Sequence, residues 1–367
     1  MRIAMIGTRG VGSNYGGIER CLDELCPRLV AMGHSVDVYS KAPAPYALPA
    51  GLRALPMPAW GGKHFENITR SALATVRAIG RYDIVHFHAT GPGILSCLTR
   101  LAGQPSVVTV HALDQRREKW GFLARQALHY AERSAMLFAD ELTVVSEHLR
   151  RYVREKYDKV AHCLPNGMPA KSPRPAGAWL ARSGLSPRGY FLFASRLTPE
   201  KGCHDLIAAF NRTKGPLKLA IAGGNGPAHY LRELQDMADP TRTVFLGHLR
   251  GDDLAEAFSN AHAYVLPSYI EGMSIALLEA IAYGLPVLVS DIAENRLVVA
   301  NPLSQFAVGD VESLRTALES CAGEDPAASP RRVSSARFQT WDDIASRYAD
   351  MYDHLLAARM DVAVAGT

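Results

Sequence analysis

The sequence predicts an α/β protein with two parallel-sheet domains, and three observations carry that expectation. Short apolar runs alternate with longer amphipathic ones almost throughout the chain. A proline-rich break interrupts the alternation once, near the middle. The length of 367 residues is long for one core and comfortable for two. Alternation of strand-like and helix-like segments argues for βαβ units, and so for a parallel sheet covered on both faces.

In the first half the strand candidates are Arg2–Ile6, Ser35–Tyr39, Asp83–Phe87, Ser106–Val110 and Glu141–Val145. Amphipathic helical patterns fill the gaps at Gly17–Met32, His64–Ile79 and Gly121–Phe138. The stretch Leu164-Pro-Asn-Gly-Met-Pro-Ala-Lys-Ser-Pro-Arg-Pro175 then reads as a linker, because its prolines and glycine stop regular structure. It places a first domain over 1–168 and a second over 176–338. In the second, strands are expected at Tyr190–Ala194, Leu217–Ala222, Thr243–Leu246, Ala263–Leu266 and Pro286–Val289. The segment Gly323–Ser335 reads as a polar loop and Trp341–Ala357 as a last amphipathic helix, with a frayed tail beyond Arg359. Ligands of open α/β sheets sit beyond the carboxyl ends of strands. The chemistry is therefore expected in loops that follow strands, in a cleft between two facing sheets.

Bulk properties narrow the class. Hydrophobic content of 48% and charged content of 21% are ordinary for a soluble globular protein. A net charge of +4 is too mild to argue for a nucleic-acid partner. The six cysteines show no Cys-x-x-Cys spacing, which suits reduced thiols. No apolar run approaches the ~18–20 residues of a membrane span. The opening Met1-Arg-Ile-Ala-Met-Ile-Gly7 reads as a buried strand rather than a signal peptide. The chain is expected in the cytoplasm. The helix Glu147-His-Leu-Arg-Arg-Tyr-Val-Arg-Glu-Lys-Tyr157 is basic and amphipathic. It is either a solvated face or a peripheral contact with an anionic membrane at the inner surface.

The most informative stretch is Glu271-Gly-Met-Ser-Ile-Ala-Leu-Leu-Glu279. A strand-like run, His262-Ala-Tyr-Val-Leu-Pro267, precedes it, and helix formers follow. A helix N-terminus is thus expected near Gly272 to Ser274, where free backbone N–H groups favour a phosphate. The two glutamates flank it as hydroxyl-binding arms. Phosphate in the middle and sugar hydroxyls on either side describe a nucleotide-sugar. Ser195-Arg-Leu-Thr-Pro-Glu-Lys-Gly202 follows the strand Tyr190–Ala194 and puts Arg196 and Lys201 in a strand-to-helix loop. Two cations there suit a diphosphate, although a single loop lysine is more often a solvated charge. Gly223-Gly-Asn-Gly226 either lets backbone approach a ligand or simply turns. Gly247-His248-Leu249 is a weaker candidate for a base pocket.

In the first domain, Gly7-Thr-Arg-Gly-Val-Gly-Ser-Asn-Tyr-Gly-Gly-Ile-Glu19 joins the first strand to the first helix. Gly16 and Gly17 open that helix and can meet phosphate. The dinucleotide fingerprint Gly-x-Gly-x-x-Gly is broken, since Gly10-x-Gly12 is followed by Tyr15. Tyr15 and Glu19 are candidates for touching an acceptor, and Glu19 has the alternative of complementing the helix dipole. His111 ends the strand Ser106–Val110 just before Asp114 and is either structural or a contact for a sugar hydroxyl. His86-Phe-His88 looks like a metal pair, yet no cysteine or carboxylate cluster completes it, and no Asp-x-Asp pair is present. No metal or other cofactor is expected.

Together these motifs resemble the retaining GT-B glycosyltransferases of family 4 over most of the chain. The most specific parts are Ser195–Gly202 and Glu271–Glu279, extended by Ala280-Ile-Ala-Tyr-Gly-Leu-Pro-Val287. The opening Gly-Thr-Arg-Gly…Asn-Tyr-Gly-Gly-x-Glu is similar to a subgroup described as polysaccharide rhamnosyltransferases. The resemblance implies that Arg196 and Lys201 bind the donor diphosphate, Glu271 the transferred sugar and Glu279 the ribose. It implies that Gly272, Met273, Ser274, Gly16, Gly17, Gly224 and Leu249 line the donor, that His111 lies near the reacting centre, and that the last helix crosses back onto the first domain. Met273 stands where the family often has an aromatic, which bears on sugar identity. The implied activity moves a sugar from a nucleotide-diphosphate sugar to a glycan or lipid-linked acceptor with retention. The competing expectations are a sugar-nucleotide epimerase and a catalytically silent partner in polysaccharide assembly.

Overall fold

The computed structural model describes residues 1–13, 15–113 and 122–365. The chain divides into two compact units, residues 1–167 with 339–367, and residues 168–338.

Among the described residues the first unit is built on seven parallel strands, β1 (Arg2–Ile6), β2 (Ser35–Ser40), β3 (Leu52–Pro56), β4 (Ile84–His88), β5 (Ser106–Val110), β6 (Glu141–Val144) and β7 (His162–Cys163). Their spatial order is β3-β2-β1-β4-β5-β6-β7. Every residue of β4 and β5 is buried, the near-continuous run expected of a strand covered on both faces. Because β1 pairs with β2 on one side and β4 on the other, the loops after β1 and β4 leave in opposite directions. That divergence is the switch point where such sheets bind ligands.

The helix Gly17–Ala31 buries Cys21, Leu22, Leu25, Cys26 and Leu29, one stripe at helical spacing. The last helix, Trp341–Ala365, packs beside it, and Arg28 Nε donates to Asp342 Oδ1 at 2.7 Å. Trp341, Ile344, Tyr348, Tyr352 and Leu355 are its buried face. A Cβ on Gly167 would stand 2.5 Å from the Trp341 backbone N, so glycine lets the two chain segments touch. The fray expected after Arg359 is not observed, since the helix continues to Ala365. Arg359 anchors it, donating to Asp140 Oδ1 at 2.6 Å and to the Gly103 carbonyl.

The second unit has six parallel strands, β8 (Tyr190–Ala194), β9 (Lys218–Ala222), β10 (Thr243–Gly247), β11 (Ala263–Leu266), β12 (Val287–Ser290) and β13 (Gln305–Phe306), in the order β10-β9-β8-β11-β12-β13. Tyr190, Leu192, Tyr264, Leu266, Val287 and Val289 enter one core. Phe191, Phe193, Leu219, Ile221, Val265 and Leu288 enter the other. This is the period-two alternation of a sheet buried on both sides. Here the switch point lies between β8 and β11.

The proline-rich break belongs largely to this unit rather than to a free linker. Met168 packs in its core, Lys171 pairs with Glu279, and the Arg174 amide donates to Ser259 Oγ at 2.9 Å. Strands β3, β7 and β13 were not expected from the sequence. Two of them are only two residues long, and β3 has a mixed burial pattern, so none shows an apolar run.

Candidate functional site

In the second unit the predicted residues converge on the loops at the β8/β11 switch point. The β8 loop is short because a 3₁₀ turn over Pro199–Lys201 ends at Gly202, whose φ of 66° is left-handed. A Cβ on Gly202 would fall 2.0 Å from the Pro267 carbonyl oxygen, so this residue lets the β8 and β11 loops touch. The Tyr269 amide ties them further, donating to the Glu200 carbonyl at 3.0 Å. Lys201 Nζ then reaches Glu271 Oε1 at 2.6 Å, and Ser268 Oγ donates to the same oxygen at 2.7 Å. Arg196 lies in the same loop, 3.8 Å from Glu200.

Glu271, Gly272, Met273 and Ser274 lead into the helix Ile275–Ala282. Ser274 is its N-cap and accepts from the Leu277 amide at 3.3 Å. Glu279 lies in the second turn, buried, with its carboxylate 3.2 Å from Lys171 Nζ. Behind the helix start stands Tyr264, whose hydroxyl donates to the Ala194 carbonyl at 3.3 Å. Burial, and then the charges of Glu271 and Glu279, hold its phenol well above the ordinary range. It stays neutral beside two carboxylates.

The glycine-rich loop after β9 packs against the β8 loop. The Leu197 amide donates to the Gly224 carbonyl at 3.1 Å, and a Cβ on Gly226 would lie 1.6 Å from the Leu197 oxygen. The Gly223 amide donates to the Gly247 carbonyl at 2.8 Å, which draws in the loop carrying His248 and Leu249. Gly224 has ordinary room, its Cβ position lying 3.5 Å from that of His248. Leu249 is half-buried against the core.

In the first unit Gly16 is the extended N-cap of the helix Gly17–Ala31, and a Cβ on Gly17 would meet nothing within 4 Å. Glu19 does more than face a helix dipole. It is buried, and its Oε1 accepts from the Arg9 amide at 3.0 Å, which holds the β1 loop down. The Tyr15 ring lies 3.5 Å from the Arg9 guanidinium carbon.

His111 ends a chain of histidines. His86 and His88 are fully buried and stacked at 4.3 Å, and His88 Nδ1 lies 3.0 Å from His111 Nε2. On its other side His88 Nε2 is 3.4 Å from Met5 Sδ. A thioether only accepts, so Nε2 of His88 carries the proton and Nδ1 accepts from His111 Nε2–H. Burial pushes His111 down to about 4 and His86 to about 3. A neutral His111 then presents a lone pair at Nδ1. His86 is fixed by Tyr352 of the last helix at 2.7 Å and by Thr109 at 2.6 Å. Among the described residues no group of three metal-ligating side chains occurs, and the His86/His88 pair is spent on this network. Asp114 lies outside the described residues.

The basic helix Glu147–Tyr157 turns Leu149 and Val153 inward. Lys156 reaches buried Glu132 at 3.2 Å, and Arg150 pairs with Glu147 at 2.8 Å. Part of its charge is thus neutralised within the fold. No helix among the described residues is long and apolar enough to cross a membrane. A pocket of about 630 Å³ in the first unit is lined by Arg2, Asp37, Arg53, Arg77 and Tyr82 and includes none of the predicted residues.

The sequence did not point to Lys171, Ser268 or Tyr264. Lys171 was hidden in the proline-rich break, and the other two read as ordinary strand and turn residues.

Residues 15–171 match the family described as Glycosyltransferase Family 4, and residues 181–326 match glycosyl transferases group 1. The chain is 30% identical to the glycogen synthase of Mycobacterium tuberculosis over 399 residues, covering 96% of this chain and 94% of that protein. Among solved structures, sucrose-phosphate synthase from Thermosynechococcus elongatus matches with a TM-score of 0.84 at 22% identity, over 98% of this chain and 100% of that one. Anabaena HepE in complex with UDP-glucose matches with a TM-score of 0.77 at 17% identity, over 96% and 100%. At these identities the two structures bear on the fold. The chain belongs to the family 4 glycosyltransferases and has the GT-B fold, two Rossmann-like units in tandem.

Proposed function

We propose that this glycosyltransferase moves a sugar from a nucleotide-diphosphate sugar to a glycan or lipid-linked acceptor, with retention of configuration and without a metal, in the synthesis of surface polysaccharide or a related glycoconjugate. The observation that carries the proposal is the Lys201–Glu271 pair at the switch point, with Arg196 in the same loop and the helix start at Ser274 beside it. The UDP-glucose complex of the structural relative HepE supports a donor of this class.

Arg196 and Lys201 neutralise the diphosphate as it leaves. Glu271 and the Gly272–Ser274 turn bind the transferred sugar, and Glu279 the ribose. Gly224 and Leu249 line the nucleotide, and Gly16 and Gly17, which open the helix Gly17–Ala31, are donor-binding glycines. Charges and amide dipoles already aimed at the leaving group need little reorganisation. In the reaction the bond from the anomeric carbon to the diphosphate oxygen breaks, and its electron pair stays on that oxygen. The acceptor hydroxyl attacks from the same face and passes its proton to the departing diphosphate. Retention follows without a protein nucleophile. His111, neutral, accepts a hydrogen bond from a sugar hydroxyl.

The test is a calorimetric titration with nucleoside diphosphates and their sugars, followed by product analysis with acceptor present. Binding of a nucleotide-sugar and an α-linked product from an α-linked donor are expected. Conversion of the donor to an epimer without acceptor would instead support an epimerase, and binding without any turnover a silent partner.

A further inference from the structure

Behind the Lys201–Glu271 pair runs a buried chain of hydrogen bonds that the donor assignment does not use. Ser268 follows β11, Ser290 ends β12, and Asn295 lies in the short helix Ala293–Val298. Ser268 and Ser290 are fully buried, and Asn295 nearly so. The Asn295 side-chain amide donates to Ser290 Oγ and to the Ser290 carbonyl, both at 3.1 Å. Ser290 Oγ donates to the Ser268 carbonyl at 2.5 Å, and Ser268 Oγ donates to Glu271 Oε1 at 2.7 Å. Proton counting leaves no other direction. An amide nitrogen only donates, a carbonyl and an ionised carboxylate only accept, and each hydroxyl has one proton to give.

Ser268 is held from two sides. Its own carbonyl is taken by Ser290, and the preceding Pro267 carbonyl lies against Gly202. Its hydroxyl therefore stands on fixed backbone, unlike the Lys201 ammonium at the end of a flexible four-carbon stem. Both donors converge on Oε1 of Glu271. With two bonds on one oxygen, the carboxylate cannot turn over without breaking both. Oε2 accepts from none of the described residues and is not sealed from solvent. The carboxylate is thus divided into one oxygen that is fixed and one that is offered. Satisfied buried networks make a site rigid, and a binding group has to be held to within about 0.5 Å by the side chains behind it.

We infer that Ser268, backed by Ser290 and Asn295, is a positioning residue that aims Glu271 Oε2 at a hydroxyl of the transferred sugar. This rests on the proposed sugar contact of Glu271. It goes further by assigning the oxygen that makes the contact and the side chains that set its direction. The sugar hydroxyl donates to Oε2, so the subsite favours a donor with a hydroxyl at that place over its deoxy counterpart, which would leave a shielded carboxylate oxygen unpaired. The diphosphate is bound by Arg196 and Lys201 and does not depend on this aim.

The test is calorimetric titration of the full chain with UDP-, ADP-, GDP- and dTDP-glucose, each beside its own diphosphate. The quantity read is the affinity that glucose adds over the diphosphate alone. Ser268→Ala is expected to cut that increment about tenfold, the worth of one ordinary hydrogen bond, while diphosphate affinity stays within about twofold. In a Glu271→Gln background the same substitution should add no further loss, because the carboxylate it acts through is already gone. Ser290→Ala should repeat the pattern more weakly, and it carries the test if Ser268→Ala does not fold. Equal losses for the glucose esters and the diphosphates would show that Ser268 only ties loops together, and would overturn the inference. So would a further tenfold loss in the Glu271→Gln background. Failure of the donor proposal shows differently, as an unmutated protein that binds none of the four nucleotide-sugars.

Discussion

Lys201 and Glu271 are joined across the β8/β11 switch point by a 2.6 Å hydrogen bond, with 12% and 8% of their side chains exposed. They come from loops 70 residues apart in sequence, and the contact exists because Gly202 lets one loop pass under the Pro267 carbonyl. A pair this shielded is not a surface ion pair worth about 0–1 kcal/mol. Removing one partner of a fully buried pair costs about 3–5 kcal/mol.

Lys201→Ala is therefore expected to lower stability and to cut turnover by about 10²–10³, the range for losing one preorganised donor to a developing anion. The double variant Lys201→Ala/Glu271→Gln separates the two effects. Without the uncompensated carboxylate it should recover most of the stability in urea unfolding, yet none of the turnover. Recovery of both would make the pair structural.

Gly226 makes the closest backbone approach in the site, and an added Cβ would lie 1.6 Å from the Leu197 oxygen. That oxygen belongs to the backbone, so the loops must move apart. Gly226→Ala is expected to cost about 1–3 kcal/mol, as overpacking does, and to weaken nucleoside diphosphate binding through the displaced Arg196 loop. Gly224→Ala, with 3.5 Å of room, is the control for stability. Equal melting of the two would sink the close-packing argument.

Much of this was legible from sequence because buried parallel strands write themselves as apolar runs. Arg2–Ile6, Ser106–Val110, Tyr190–Ala194 and Ala263–Leu266 have the expected bounds. The Ser274 cap stood where polarity gives way to Ile-Ala-Leu-Leu. What periodicity cannot carry is a tertiary partner. Glu19 read as a first-turn acid, but its carboxylate is fixed by an amide ten residues back. Lys171 sat among prolines, and only the fold brings it to Glu279. His86 and His88 looked like a metal pair that no cysteine or carboxylate cluster completed, and only the fold shows their nitrogens directed to Tyr352, Thr109, His111 and Met5. The tail beyond Arg359 read as frayed, whereas the helix runs on to Ala365, with Arg359 bonded to Asp140.

Lys171 and Glu279 give a prediction about binding rather than chemistry. Lys171 Nζ lies 3.2 Å from Glu279 Oε1, and both side chains are largely shielded. If Glu279 holds the ribose, Lys171 orients it equally in the ground and transition states. Lys171→Met should then raise KM for the donor with kcat nearly unchanged, the signature of lost uniform binding. A fall in kcat at constant KM would move Lys171 to the reacting centre.

The buried histidines make stability depend on pH. His111 is held near 4 and His86 near 3 by burial, against about 6.5 in an unfolded chain. Between those values the unfolded chain binds protons that the folded one refuses. Stability therefore falls as pH drops through 6.5 and goes on falling to about 4 for His111, and it is unaffected by these groups above 6.5. A displacement of this size corresponds to about 3 kcal/mol for His111. Melting temperatures of the wild type and of His111→Gln, measured from pH 4 to 8, check this. The variant should have the shallower slope below pH 6.5 and the same plateau shape above it. Parallel curves would show that His111 takes up its proton as freely in the fold as in the unfolded chain, and the neutral acceptor assigned to it would fail.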